Sequence, residues 1–331
     1  YKAGYSLTTA QKDTYIGWEA GYTGITAYSN TAVGNSALYQ NQVGHSNVAI
    51  GDEAGKYVTS SLNVSIGFSA GRGKTSAPYN SGEANISIGT YTNYDVSTGK
   101  MNVSVGDRAG YEMDTGMHNT LLGNNAGYNV KHAVGATIIG GYAGRYASGS
   151  YNTFVGYNAG DGGTTSAPFS SGENNTALGY QALVGFTTAT RMVAIGYESM
   201  HNVTTGADSV AIGYQAAYYD VGTESVSIGS YAGMANGAGS NVSIGFRAGS
   251  TSTGGSNTAI GASAIRYLNA GNENTAIGNT AGSYLLGTST TIVGSQAGRF
   301  ASGSYNTFVG MSAGYGGTTS APFSSGESNV A

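Results

Sequence analysis

One glycine returns every 16 or 17 residues through this chain, and a period that short leaves few folds open. It follows an aliphatic residue and falls at Gly17, Gly34, Gly51, Gly67, Gly89, Gly106, Gly123, Gly140, Gly156, Gly179, Gly196, Gly213, Gly229, Gly245, Gly261, Gly278, Gly294 and Gly310, 18 times in 331 residues. Only two gaps are longer, 22 residues after Gly67 and 23 after Gly156. The repeat is too small for a helix pair or a propeller blade and suits one coil of a β-solenoid with two short strands.

The columns around this marker predict strands. The residue before it is Ile, Val or Leu in all 18 repeats, and the residue two further back is Thr, Val or Ile in all 18. Between them lies Ala or Ser in 12 repeats. Alternate side chains of a strand face opposite ways. The β-branched and aliphatic residues therefore share a face, read here as the coil interior, with the small residue facing out. Ala stands third after the marker in 16 repeats and Gly fourth in 12. These predict a small inward residue followed by a corner of positive φ. Asn stands four before the marker in 12 repeats, where its side chain can bond local backbone or stack on its neighbours above and below. At one strand spacing per coil, eighteen coils predict a rod on the order of 85 Å long.

Charged residues make up only 9% of the chain and the net charge is -4. With no basic stripe, nucleic acid is not an expected partner. No run of 18 apolar residues exists, so no transmembrane helix and no membrane insertion by this segment is expected. Cysteine is absent, which excludes disulfides and zinc–thiolate sites. The four histidines, His45, His118, His132 and His201, fall at different phases of the repeat and build no ladder of metal ligands. No cofactor or metal is expected. The interior of one coil is thin, and its burial barely offsets the ordering of 16 or 17 residues. The outward Ala/Ser column then predicts lengthwise association into a parallel homo-oligomer, a trimer.

Asn47-Val48-Ala49-Ile50-Gly51, Ser209-Val210-Ala211-Ile212-Gly213 and Ser225-Val226-Ser227-Ile228-Gly229 resemble the head repeats of YadA-like trimeric autotransporter adhesins. Similar repeats occur in phage tail-fibre-type proteins, whose longer period and Ala-Gly pair this chain matches better. The resemblance covers essentially the whole chain. It implies a left-handed parallel β-roll, assembled as a trimer and exposed on a cell or virion surface.

Residues 1–331 thus read as one continuous repeat array. Ala3-Gly4-Tyr5 matches the segment that follows a marker, and Asn329-Val330-Ala331 stops short of the next one. Both ends cut a repeat, and the chain is expected to be a window from a longer protein. Insertions break the period near 74–83, 164–173 and 318–327, the last two identical as Thr-Thr-Ser-Ala-Pro-Phe-Ser-Ser-Gly-Glu. Residues 144–160 nearly recur as 298–314, 154 residues later, which points to duplication of multi-coil blocks.

Candidate ligand-binding residues lie where the repeat varies. Each insertion carries an aromatic, Tyr79, Phe169 and Phe323, because loops on a rigid scaffold often hold binding residues; the plainer reading tucks the ring back onto the roll or a subunit. Tyr180, Tyr197 and Tyr214 follow consecutive markers and predict an aromatic ladder. Such a ladder either binds sugar rings or braces the roll and its subunit contacts. No Ser/His/Asp set suggests a nucleophile. The expected function is a structural and adhesive fibre outside a cell or on a virion that presents receptor- or glycan-binding surfaces, with no enzymatic activity. The alternative is the shaft of a phage fibre with polysaccharide-degrading activity, which needs paired carboxylates. Asp52-Glu53 and Asp107 are the isolated candidates, better read as solvated corners. A third idea, ice binding, needs an outward threonine array, and the Thr column reads as inward.

Overall fold

The computed structural model describes residues 2–9, 11–76, 79–165, 169–219, 222–235, 237–267, 271–316 and 326–331. Among these the chain is all-β, and every strand is three residues long. Residues 1–174 and 175–331 form two compact units. The first holds nine strands, from Thr14–Ile16 to Thr153–Val155, and the second nine, from Thr176–Leu178 to Thr307–Val309. Each strand is the triplet just before a marker glycine. Within each unit the strands pair in parallel, like over like: Thr14 beside Thr31 and Val103 beside Thr120 in the first, Val193 beside Val210 and Thr291 beside Thr307 in the second. One repeat is one coil, and the predicted parallel β-solenoid is present, with one strand per coil among the described residues rather than the two expected. Elsewhere the coils pair through isolated bridges such as Tyr28 beside His45. The insertion near 74–83 leaves the register intact, with Val64 beside Ile86.

The marker glycines explain why the period is kept. Their φ lies between +126 and +141°, a region that side chains rarely enter. A Cβ on Gly17 would lie 2.5 Å from the carbonyl oxygen of Gly34 in the next coil, and one on Gly213 2.6 Å from that of Gly229. Both the dihedral and the stacking therefore demand glycine.

Burial reverses the expected faces of the strand. The central residue is the inward one: Ala32, Ala49, Ser104, Leu121, Phe154, Ala194 and Ala211 are all fully buried. The flanking residues point outward, with Ile16 59%, Leu122 45%, Leu178 46% and Ile277 39% exposed. Strand alternation separates two faces without saying which is inside, and the bulk of the Thr/Val-x-Ile pair suggested the wrong one. The coil is narrow. Its interior must also hold the Ala third after the marker, such as Ala20 and Ala109, and whatever stands fourth.

A volume rule follows. Where the central strand residue is large (Tyr15, Leu121, Ile138, Phe154, Ile292 and Phe308), the fourth residue after the marker is glycine. A Cβ on Gly144 would lie 2.7 Å from Ile138, and one on Gly160 would collide with the Phe154 ring. Where the fourth residue is large and buried (Leu38, Leu183, Met200 and Ile265), the strand centre is alanine. One coil replaces the bulk with polarity: Asn93 Nδ2 donates to Ser87 Oγ at 2.7 Å. Interiors at close-packed density permit one large residue per coil at this point.

The asparagines ahead of the strands form a buried ladder. Asn102 donates its backbone N–H to Asn85 Oδ1 at 3.1 Å and accepts the Asn119 N–H at its own Oδ1 at 3.0 Å. Its Nδ2 donates to the Gly116 carbonyl at 2.8 Å. In the second unit Asn257 repeats the pattern between Asn241 and Asn274. Serines substitute where asparagine is missing, Ser225 N–H donating to Ser209 Oγ at 3.1 Å. Asn102→Ala leaves the Asn119 N–H and the Gly116 carbonyl buried without partners, a cost of about 2–6 kcal/mol for two groups. Asn102→Ser is expected to lose less. Urea titrations of the three proteins check the order.

Candidate functional site

Like-over-like stacking converts tyrosines at one repeat position into columns of rings. Tyr180 and Tyr197 stack with centroids 5.0 Å apart and planes 15° apart, and Tyr197 and Tyr214 at 5.2 Å and 9°. All three are exposed, at 42, 44 and 42%. The three predicted residues are therefore brought together as a surface ladder in the second unit. Gln215 Nε2 donates to Glu198 Oε2 at 2.6 Å beside it, so polar groups flank the rings. Other columns run at the fifth position of the repeat after the marker: Tyr5, Tyr22 and Tyr39 lie within 2–4° of parallel, and Tyr94, Tyr111 and Tyr128 within 2–12°. His201 joins Tyr218 at 5.0 Å and 3°, a structural rung.

The insertion aromatics meet the roll. Tyr79 stacks on Tyr57 at 6.0 Å, and Phe169 on Tyr146 at 6.1 Å with the Lys131 ammonium 5.6 Å from its centroid. Asn80 and Ser170, one residue on, bridge back to Val58 and Ala147. Phe323 lies outside the described residues.

The carboxylates singled out in the sequence are engaged. Asp52 accepts from Asn35 Nδ2 at 2.8 Å, Glu53 pairs with Lys56 at 2.6 Å and Arg72 at 2.8 Å, and Asp107 lies 3.6 Å from Arg108. A different acidic group was missed. Lys74, Asp95, Glu112, Asp114 and Lys131 line one cleft of about 190 Å³ in the first unit. Asp95 and Glu112 stand 17 residues apart, one coil above the other, so aligning the repeats in columns would have found the pair. Burial, and then the Glu112 charge, push the Asp95 carboxyl up. Burial alone would raise Asp114 as well, but the Lys74 ammonium at 2.7 Å and a hydrogen bond from Ser97 outweigh it and hold Asp114 below the usual range. Two neighbouring carboxylates are thus driven apart in acidity.

No protein-family model matches the chain, and no curated protein matches it.

The opposed shifts give opposite pH signatures. Asp114 contributes stability that is present above the unfolded value, ~3.9, and lost as pH falls through its lower folded value. Asp114→Asn is therefore expected to destabilise at pH 7, with the difference from wild type shrinking below about pH 4. Asp95 has the reverse sign: its folded value lies above the unfolded one, so its charge costs stability at neutral pH. Asp95→Asn is expected to raise the melting temperature at pH 7. Thermal melts of both variants across pH 3–7 check the two signs.

Proposed function

We propose that this chain is a structural and adhesive surface fibre. In this reading it associates with copies of itself along the strand face, as a parallel homotrimer, and presents aromatic rows to glycans outside a cell or on a virion. The observation that carries the proposal is the outward strand face. In every coil its two columns hold only Thr, Val or Ile and then Ile, Val or Leu, with no charge. Water-exposed aliphatic strips of this regularity mark interaction surfaces. The surface that matches such a strip in both pitch and polarity is another copy of the same strip. Burying it adds the apolar area that a thin coil interior lacks.

The adhesive part rests on Tyr180, Tyr197 and Tyr214. Exposed parallel rings flanked by Gln and Glu side chains suit sugar faces, with polar partners for hydroxyls.

Light scattering of the purified chain is expected to give three times the 33.3 kDa chain mass. Ile244→Asp, on the outward column, is expected to shift it toward the monomer without loss of β-sheet signal. A wild-type monomer would remove the assembly. Because the Thr column, present in ten of the 18 strands, faces out, the sequence objection to ice binding falls. A monomer that halts ice growth would reassign the face to ice.

The acidic cleft favours a second reading, cleavage of a polysaccharide. Asp95, held protonated longer, is suited to the general acid, and Asp114, held ionised, to the base or nucleophile. Incubation with a polysaccharide panel is expected to release no new reducing ends under the first reading. Release that is lost in Asp95→Asn would establish the second.

A further inference from the structure

The tyrosine ladder of the second unit does not end at Tyr214. Tyr231 meets Tyr214 edge-on at 5.3 Å, and Phe246 meets Tyr231 edge-on at 6.2 Å. Arg247 lies over both rings, its guanidinium carbon 5.5 Å from the Tyr231 centroid and 4.9 Å from that of Phe246. One coil further on, Arg266 lies 4.7 Å over Tyr267. Between the two arginines opens a cleft of about 260 Å³, lined by Tyr231, Met234, Arg247, Thr251, Arg266 and Tyr267 among others. Thr251 Oγ1 and Ser250 Oγ both donate to the Arg266 carbonyl, at 2.8 and 3.2 Å, which fixes the floor between the two cations.

These arginines differ from four of the other five, Arg299 alone being likewise without a carboxylate in ion-pair distance among the described residues. Arg72 pairs with Glu53, Arg145 forks onto Asp161 at 3.1 and 2.9 Å, and Arg191 forks onto Asp208. Arg247 and Arg266 have no carboxylate within ion-pair distance among the described residues. Glu224 and Glu273 bracket them in sequence with no acidic residue between. Both sit at another corner of the coil, five residues ahead of a marker glycine, and accept from Ser240 and Ser289. Two half-buried guanidinium groups thus share one cleft with aromatic walls and no counter-charge. A guanidinium fork matches the planar oxygens of a carboxylate or the face of a sulfate, and partial desolvation strengthens that bond.

We propose that the Arg247–Arg266 cleft binds the anionic group of an acidic polysaccharide, a sugar carboxylate or sulfate, while neighbouring sugar rings of the same ligand lie on the Tyr180–Tyr197–Tyr214–Tyr231 ladder. The inference rests on the glycan-adhesion reading and adds its charge class. Neutral sugars would use the ladder alone and leave both cations unsatisfied.

The test compares oligogalacturonate, dextran sulfate and neutral dextran oligosaccharides by calorimetry. The proteins are wild type, the double variant Arg247→Gln/Arg266→Gln, and Tyr197→Ala, each first checked for an unchanged melt. At least one anionic probe is expected to bind wild type about tenfold or more tightly than neutral dextran, the scale of one charge-assisted bond. The double variant is expected to lose that advantage and keep the neutral affinity, and Tyr197→Ala to weaken all probes together. The carboxylate and sulfate arms identify which anion the cleft takes. Equal binding of neutral and anionic probes, or anionic binding untouched in the double variant, overturns the charge assignment and leaves the adhesion reading standing. Binding of none of the three removes both. Tighter binding of single-stranded DNA than of any glycan assigns the arginines to nucleic acid instead.

Discussion

At sixteen of the 18 marker glycines, the carbonyl of the next marker occupies the place where a side chain would be. This contact between coils fixes the rest of the structure. At Gly17 and Gly213 the next glycine lies too close for a Cβ, so each coil must turn at the same residue as the coil before it. Register then holds for every other position. The asparagine ladder, the aliphatic strips and the aromatic columns are consequences of that alignment. The ring spacings near 5 Å in the tyrosine columns are the strand spacing of a parallel sheet, ~4.8 Å, carried to the surface.

The same alignment separates shape from decoration. The second residue after every marker adopts φ between +50 and +59° with no glycine at that position, and it is Glu53, Arg108, Gln215, Tyr231 or Arg247 without preference. Such a conformation costs each residue on the order of 1 kcal/mol. It persists because coil-to-coil hydrogen bonds on both sides over-determine it, as with Arg108 N–H to the Thr90 carbonyl at 2.8 Å. The backbone is dictated by the stack, and the side chain is free to vary for binding.

That separation explains what could be read from the chain alone. The period, the strand triplets, the asparagine column as a backbone-bonding or stacking position, and the Tyr180–Tyr197–Tyr214 ladder were legible, since each depends on one repeat position recurring. The direction of the strand faces was not. Alternation is symmetric, and only the exchange of Ala for Phe154 or Leu121 opposite glycine reveals the inside. The two clefts were harder to see because each joins residues from more than one phase of the repeat, although Asp95 and Glu112 share a column. Lys74 and Asp114 pair across coils, Arg247 and Arg266 line one cleft from different coils, and no single column contains either pair.

The trade between Phe154 and Gly160, or between Ile138 and Gly144, is settled mainly inside one coil. A coil therefore carries its own complement of volume and can be copied whole without leaving a void or a clash behind. Phe308 with Gly314 and Ile292 with Gly298 are the same two solutions found 154 residues later. Heritable change in the length of such a protein should proceed in integral coils, with each newly copied unit already fitted to its neighbours and its outward residues free to diverge toward a new ligand.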